Sequence, residues 1–367
     1  MESSQELDTA DKLLYSPNGL TRWYIDTRGL TATTSDLPLL STLQPSDQKS
    51  IQKYYRLADR HMSLASYLLK YLFIHQTCRV PWSEVVISRT PAPHQRPCYI
   101  PVQRGDAKEK VTNIEFNVSH QASMVALAGC IIPPDIPLST SPSISPNPSP
   151  QGPASIPQVG IDITCTNERE RRNKDSIPKT EKELYEFIDI FSEVFSAREI
   201  SNMKAPLCAS AASTPSALDA EQSLARSIHD RLRCFYTYWA LKEAYIKMTG
   251  EALLAPWLRE LEFLDVVAPS PPSATNSISA SGGTMIFGTP YTRTKILLHG
   301  QEVQDVRMEV VALGEEYLFA TAARGKGMGK HPDADESSND PWTSFKALDI
   351  ERDIAPCARG ECHCLEK

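Results

Sequence analysis

Residues 235–257, "FYTYWALKEAYIKMTGEALLAPW", decide how this chain is to be read. Phe235, Tyr238, Trp239, Leu241, Tyr245, Ile246 and Met248 cover more of a helix's circumference than the single apolar stripe of a surface helix. The spacing predicts a mostly buried helix. It nonetheless carries Lys242, Glu243 and Lys247. Glu243 and Lys247 stand four apart with the glutamate nearer the N-terminus, so they share a face and can pair. On one wet face such a pair would contribute about 0.3 to 0.5 kcal/mol. A polar stripe on a buried helix could instead line a cleft and meet a ligand. Spacing alone leaves both readings open.

The chain of 367 residues has room for two or three domains with ample core. Its hydrophobic content of 41% and mean hydropathy of −0.32 are those of a globular protein. There is no basic N-terminal region leading into an apolar core and no run of eighteen apolar residues. The expectation is a cytoplasmic protein without a membrane partner. A net charge of −7 argues against broad nucleic-acid binding, which leaves a basic footprint. Nine cysteines without a disulfide-like framework read as reduced thiols. In "PCARGECHCLEK", Cys357, Cys362, His363 and Cys364 could in principle hold a metal, but their spacing matches no zinc pattern, and free tail thiols are expected.

Composition divides the chain. Residues 1–20 read as a flexible N-terminus, 21–132 as an N-terminal half and 133–158 as a Pro/Ser-rich linker. A C-terminal half spans 159–324, with mobile insertions near 205–222 and 268–283, and 325–367 read as a mobile tail. In the first half a helical pattern covers 46–78, with Ser46 as its N-cap, and short strands follow at "EVVISR", "EFNVSH" and "MVALAG". The second half opens with the strand "VGIDIT", continues through helices, and ends in strands at "ELEFLDVV", "RTKILLHG", "VRMEVVAL" and "YLFATAA". Helices mixed with short strands on both sides of the linker predict an α+β protein of two similar halves.

Strand alternation in "VGIDITC" puts Gly160, Asp162 and Thr164 on one face. Aspartate is depleted in strands, so Asp162 is either at a water-facing edge or a hard oxygen ligand suited to Mg²⁺. Gly160 would leave room for a ligand beside it. "EFNVSHQASMVALAG" reads as strand, polar turn, strand, with Asn117, Ser119 and His120 at the strand end, within reach of a phosphate oxygen. "VVISRTPAPHQRPCYIP" adds Arg89 and Arg96 in a stiff Pro-rich connection, and arginine is a natural bidentate partner of phosphate. "GKGMGKH" lacks the spacing and the Ser or Thr of a phosphate loop, and no dinucleotide fingerprint, G-x-S-x-G elbow or H-E-x-x-H pair is present.

Together "FNVSH", "VGID" and "WALKEAYIK" resemble, in order, the signature motifs of the Sfp-type 4′-phosphopantetheinyl transferases, most closely their eukaryotic and fungal branch. The resemblance runs from about residue 21 to residue 324, outside the insertions. It implies two pseudo-symmetric α/β halves with the coenzyme A site in the cleft between them, working as a monomer. It also implies Mg²⁺-dependent transfer of the phosphopantetheine arm from coenzyme A to a serine of an acyl or peptidyl carrier domain, releasing 3′,5′-ADP. The implied carriers belong to fatty acid synthase, polyketide synthase, nonribosomal peptide synthetase and aminoadipate reductase.

Motif by motif, Asp162 and Glu243 would bind the metal, and Glu243 would also be a candidate base. Lys247 would contact the pyrophosphate, with Lys242 beside it. Asn117, Ser119 and His120 correspond to coenzyme contacts, His120 also stabilising charge, and Arg89 would meet the 3′-phosphate. Arg96 stands in "QRP" where the family often has Gly-Lys-Pro, and Lys49 and Arg60 are further basic candidates. Many bacterial members carry Glu two residues after the Asp, where this chain has Thr164. Two readings from other classes compete: a coenzyme A or nucleotide-binding regulator without transfer, and a metal-binding interaction protein centred on the Cys-rich tail.

Overall fold

The computed structural model describes residues 14–91, 95–101, 111–136, 156–173, 177–205, 217–251, 255–272, 285–326, 328 and 340–366. The expected flexible N-terminus up to residue 13, most of the linker, and the greater part of both insertions lie outside the described residues. The chain divides into two compact units, residues 1–159 with 324–367, and residues 160–323.

The first unit opens with β1 (Thr21–Asp26), followed by helices α1 (Arg28–Thr33), α2 (Pro45–Gln52) and α3 (Leu57–Cys78). The single helix expected over 46–78 is therefore two, and its first residue is Pro45 rather than Ser46 acting as a cap. Proline suits that position because its missing N–H would have had no intrahelical partner. After the short hairpin of β2 (Ser88–Arg89) and β3 (Pro97–Cys98) come β4 (Asn113–Gln121) and β5 (Met124–Ile132), joined by Ala122 and Ser123. Both turn residues have positive φ, 47° and 71°, the backbone twist that suits a two-residue hairpin. β5 pairs antiparallel with both β4 and β1. The buried α3 packs on this sheet through Phe73, whose ring meets Trp23 at 5.7 Å and Phe116 at 6.1 Å between centroids. Gly129 makes that contact possible, because a Cβ there would lie 2.7 Å from the Phe73 ring.

The second unit carries most of β6 (Gln158–Cys165), then α4 (Glu168–Arg172), α5 (Glu181–Asp189), α6 (Ala197–Lys204) and the long α7 (Ala217–Thr249). It ends in β7 (Leu261–Leu264), β8 (Lys295–Leu298), β9 (Gln301–Glu302), β10 (Val306–Leu313) and β11 (Tyr317–Arg324). Two three-stranded sheets result, ordered β10-β11-β6 and β7-β8-β9. Phe235, Tyr238, Leu241, Tyr245 and Met248 of α7 are all buried in one core with Phe187, Phe195 and Phe263. Helix α7 is thus the central packing element of its unit.

The chain then returns to the first unit, where the expectation of a mobile tail meets an ordered segment. β12 (Lys346–Ala347) adds to the sheet parallel to β1, and Ile350, Ile354 and Cys357, the last in α8 (Ala355–Arg359), are buried in the core around α3. Sequence reasoning missed this because a two-residue strand has no alternation to read. Among the described residues, no helix is long and apolar enough to cross a membrane.

Candidate functional site

The site in the second unit begins with a glycine. A Cβ on Gly160 would lie 2.0 Å from the Ala244 carbonyl oxygen and 2.4 Å from the Met248 amide nitrogen. Only a residue without a side chain lets β6 approach the α7 backbone this closely. The space expected for a ligand beside Gly160 is thus filled by the helix itself. Strand alternation then turns Asp162 to the same side, towards α7.

Asp162 is buried, and Lys247 Nζ donates to its Oδ1 at 2.6 Å. Thr164, two residues on along the same strand face, donates its hydroxyl to the other carboxylate oxygen, Oδ2, at 2.8 Å. Burial pushes the Glu243 carboxyl up to about 7, the nearby negative charge of Asp162 adds to the rise, and Lys247 opposes it. Two carboxylates are thus held in one partly dry place, with Lys247 offsetting their charge. This donor set fits a hard divalent cation such as Mg²⁺, which takes oxygen ligands and relieves carboxylate repulsion. Asp162 and Glu243 would hold it, and Thr164 would orient Asp162.

Lys242 belongs elsewhere, a correction to its expected place beside the pyrophosphate. It is 1% exposed, and its Nζ lies 2.9 Å from Glu199 Oε2, 2.9 Å from the Leu258 carbonyl oxygen, and bonded to the Leu261 carbonyl oxygen. Glu199 also accepts from the Ser196 amide at 2.9 Å and from the Phe263 amide at 2.9 Å. Lys242 therefore joins α7 to α6 and β7, and its position one residue before Glu243 turns it away from the Asp162 face. The partner was partly legible: Ser196 and Glu199 form a capping box, a pattern visible in "SARE".

In the first unit, Asn117, Ser119 and His120 lie in the C-terminal part of β4, at the expected strand end, and the strand continues to Gln121. Alternation places Asn117 and Ser119 on the same face as Glu115, with His120 exposed near the strand end. Glu115, which sequence reading passed over, pairs with Arg96 at 2.6 Å. Arg96 also reaches the Val159 carbonyl oxygen at 3.2 Å. Arg89 is exposed, and its guanidinium donates to the Gln95 carbonyl oxygen at 3.0 Å across the β2–β3 hairpin. Lys49 is exposed on α2, and Arg60 of α3 donates to the Tyr54 carbonyl oxygen at 2.6 Å. The structure thus brings Asp162, Glu243 and Lys247 together in one unit, and collects Arg96, Asn117 and Ser119 along or beside β4 in the other.

A partly buried carboxylate pair, with a lysine one helical turn from one of its members, is the equipment of a phosphate-handling enzyme. The comparisons give that class its family. The model for the 4′-phosphopantetheinyl transferase N-terminal region matches residues 32–132, and that for the 4′-phosphopantetheinyl transferase superfamily matches residues 158–300. The chain is 54% identical over 359 residues to 4′-phosphopantetheinyl transferase A of Aspergillus fumigatus, covering 95% of this chain and 96% of the relative. It is also 54% identical over 364 residues to 4′-phosphopantetheinyl transferase NpgA of Emericella nidulans, covering 94% and 96%. With L-aminoadipate-semialdehyde dehydrogenase-phosphopantetheinyl transferase of Mus musculus it shares 24% over 295 residues, 80% of this chain and 70% of the relative. The chain belongs to the 4′-phosphopantetheinyl transferase superfamily, enzymes that transfer phosphopantetheine to carrier proteins.

Proposed function

We propose that the chain performs this transfer with coenzyme A as donor, Mg²⁺ as the metal and a serine of an acyl or peptidyl carrier domain as acceptor. The observation that supports this most is the grouping of buried Asp162 with half-buried Glu243 and Lys247, in which the Glu243 carboxyl is raised to about 7. The serine oxygen attacks the β-phosphorus of coenzyme A, forming a new P–O bond. The P–O bond to 3′,5′-ADP breaks, and the serine proton leaves through Glu243 or a water it holds. A carboxylate tuned close to neutral pH suits that role. Mg²⁺, when bound by Asp162 and Glu243, would neutralise charge developing on the phosphate oxygens. Lys247 holds a positive charge at the same place and is the candidate pyrophosphate contact.

Arg89, Arg96, Asn117, Ser119 and His120 are the proposed coenzyme contacts of the first unit, with Lys49 and Arg60 as further basic candidates. Arg96 is already committed to Glu115, so it would act partly by positioning that strand. The pseudo-symmetric halves, the domain boundaries and the coenzyme A cleft expected from the family belong to this proposal, as do a monomeric state and a cytoplasmic location. The carriers are those of fatty acid, polyketide and peptide synthases and of aminoadipate reductase, the last in keeping with the name of the mammalian relative.

The test is incubation of the purified chain with coenzyme A, Mg²⁺ and apo carrier domains of each kind, followed by intact mass. The expected result is a gain of the phosphopantetheine arm on at least one carrier. No gain with any of them, from folded protein, would sink the proposal.

A further inference from the structure

We propose that His75, Cys357, Cys362 and Cys364 form a structural Zn²⁺ site that fastens the C-terminal segment to α3. One side chain comes from α3 and three from the C-terminal segment, yet each offers a ligand atom within 4.8 Å of the other three. Around a tetrahedral zinc with Zn–S bonds near 2.3 Å, ligand atoms lie about 3.3 to 3.8 Å apart. Cys357 Sγ stands 3.7 Å from Cys364 Sγ, and His75 Nε2 stands 3.2 Å from Cys362 Sγ. A disulfide needs sulfur atoms about 2.05 Å apart and would leave one of the three thiols over.

The histidine is already set as a ligand. Its Nδ1 lies 2.7 Å from the Val80 carbonyl oxygen, which can only accept, so Nδ1 carries the hydrogen and Nε2 presents its lone pair to the sulfurs. Metal-bound histidines are held in this way, with the far nitrogen donating to a carbonyl or carboxylate. The Gln76 amide nitrogen lies 3.6 Å from Cys364 Sγ, a donor placed to stabilise a thiolate. His75 and Cys357 are buried, while Cys362 and Cys364 are half-buried. The site therefore lies just beneath the surface, where a structural ion is held without an open position for substrate.

Local geometry explains how the thiols converge. Helix α8 ends at Gly360, whose φ of 76° lets the chain reverse, and the Glu361 amide closes the turn on the Pro356 carbonyl oxygen at 2.8 Å. Cys362 and Cys364 are thereby folded back beside Cys357. His363, between them, points instead to Glu366 at 2.9 Å. The tail's own spacing matched no zinc pattern because the fourth ligand is not in the tail; the bond from His75 to Cys362 spans 287 positions. A five-residue helix has little stability of its own, and a metal closing so long a loop would supply what it lacks.

The full-length protein, purified without chelators, should contain about one zinc per chain by elemental analysis. Exchange into Co²⁺ should give the visible bands of tetrahedral thiolate coordination. Cys364→Ser and His75→Ala should lose the zinc, whereas His363→Ala should keep it. A zinc-selective chelator should lower Tm of the wild type but not of Cys364→Ser, and adding Mg²⁺ should not restore it. Should the ligand variants not fold, the metal content of the wild type and of His363→Ala still decides. Folded wild-type protein that is metal-free and takes up no Co²⁺, that holds iron, or that shows a two-hydrogen mass loss from a Cys357–Cys364 disulfide would overturn the site. Retention of zinc by His75→Ala with its loss from His363→Ala would overturn the ligand assignment.

Discussion

Lys247 Nζ donates to Asp162 Oδ1 over 2.6 Å, tying the last turn of α7 to β6. The bond sets a lysine against a carboxylate that the proposed chemistry assigns to a metal, so its two ends should fail differently. Lys247→Gln removes charge that stabilises the transferring phosphate and should lower kcat/KM by about 10² to 10³-fold with the Mg²⁺ requirement little changed. Thr164→Val removes the hydroxyl that orients Asp162 and should raise the Mg²⁺ concentration for half-maximal rate about 10-fold or more, with kcat at saturating Mg²⁺ retained. Steady-state rates across a Mg²⁺ titration separate the two. The same response from both variants would mean that Lys247 acts only by holding Asp162.

Glu243 should give the protein a pH-dependent penalty. Its carboxyl has an ordinary value of 4.5 and is raised to about 7 in the folded state by burial and then by Asp162. The folded state therefore binds the proton more tightly than the unfolded chain does. Its contribution to stability is full below about 4.5 and is lost as pH rises through 7. In chelator, Glu243→Gln should be more stable than the wild type at pH 8 by about 1 to 3 kcal/mol, with the difference vanishing near pH 4.5. The same variant should transfer at least about 10²-fold more slowly. Parallel Tm profiles for variant and wild type from pH 4.5 to 8 would remove the premise of a strained carboxylate.

What could be read from the chain beforehand divides along a physical line. The strand alternation that pairs Asp162 with Thr164 and the four-residue spacing of Glu243 and Lys247 are local periodicities, and both survive folding intact. Lys242 was misread because periodicity shows which face a residue occupies but not what that face meets. Its partner Glu199 comes from another helix, and its carbonyl acceptors come from the segment after α7. Asn117, Ser119 and His120 do lie at the end of a strand, because the apolar alternation that marks it runs through their neighbours, and the strand continues two residues beyond Ser119. His75 lay unnoticed in a buried helix, since nothing nearby in sequence marks it as different from a packed core histidine.

Gly160 should be nearly irreplaceable. Adding the one methyl of Gly160→Ala puts carbon 2.0 Å from a helix carbonyl, and neither backbone can yield without separating β6 from α7. The expected loss is about 1 to 3 kcal/mol or more, read as a lower urea midpoint at unchanged slope. Because the same separation carries Asp162 on β6 away from Glu243 on α7, its proposed co-ligand, Mg²⁺ affinity should fall in the fraction that remains folded. An unchanged midpoint would show that the strand and helix are not in backbone contact in solution.

Lys242 should behave as a structural residue despite standing next to Glu243. Lys242→Met leaves the Glu199 carboxylate buried without its counter-charge, and removal of one member of a buried pair costs about 3 to 5 kcal/mol. Glu199→Gln introduced alongside it removes that stranded charge while keeping the carbonyl oxygen that accepts from the Phe263 amide. The glutamine amide nitrogen cannot accept from the Ser196 amide as the second carboxylate oxygen did, so the double variant should recover part of the lost stability. In both cases the folded protein should keep the wild-type KM for coenzyme A, since Lys242 Nζ is spent on Glu199 and two carbonyl oxygens inside the core. Urea midpoints and coenzyme A titrations on the two variants test this together. A raised KM without loss of stability would return Lys242 to the coenzyme and show that its ammonium can leave the core.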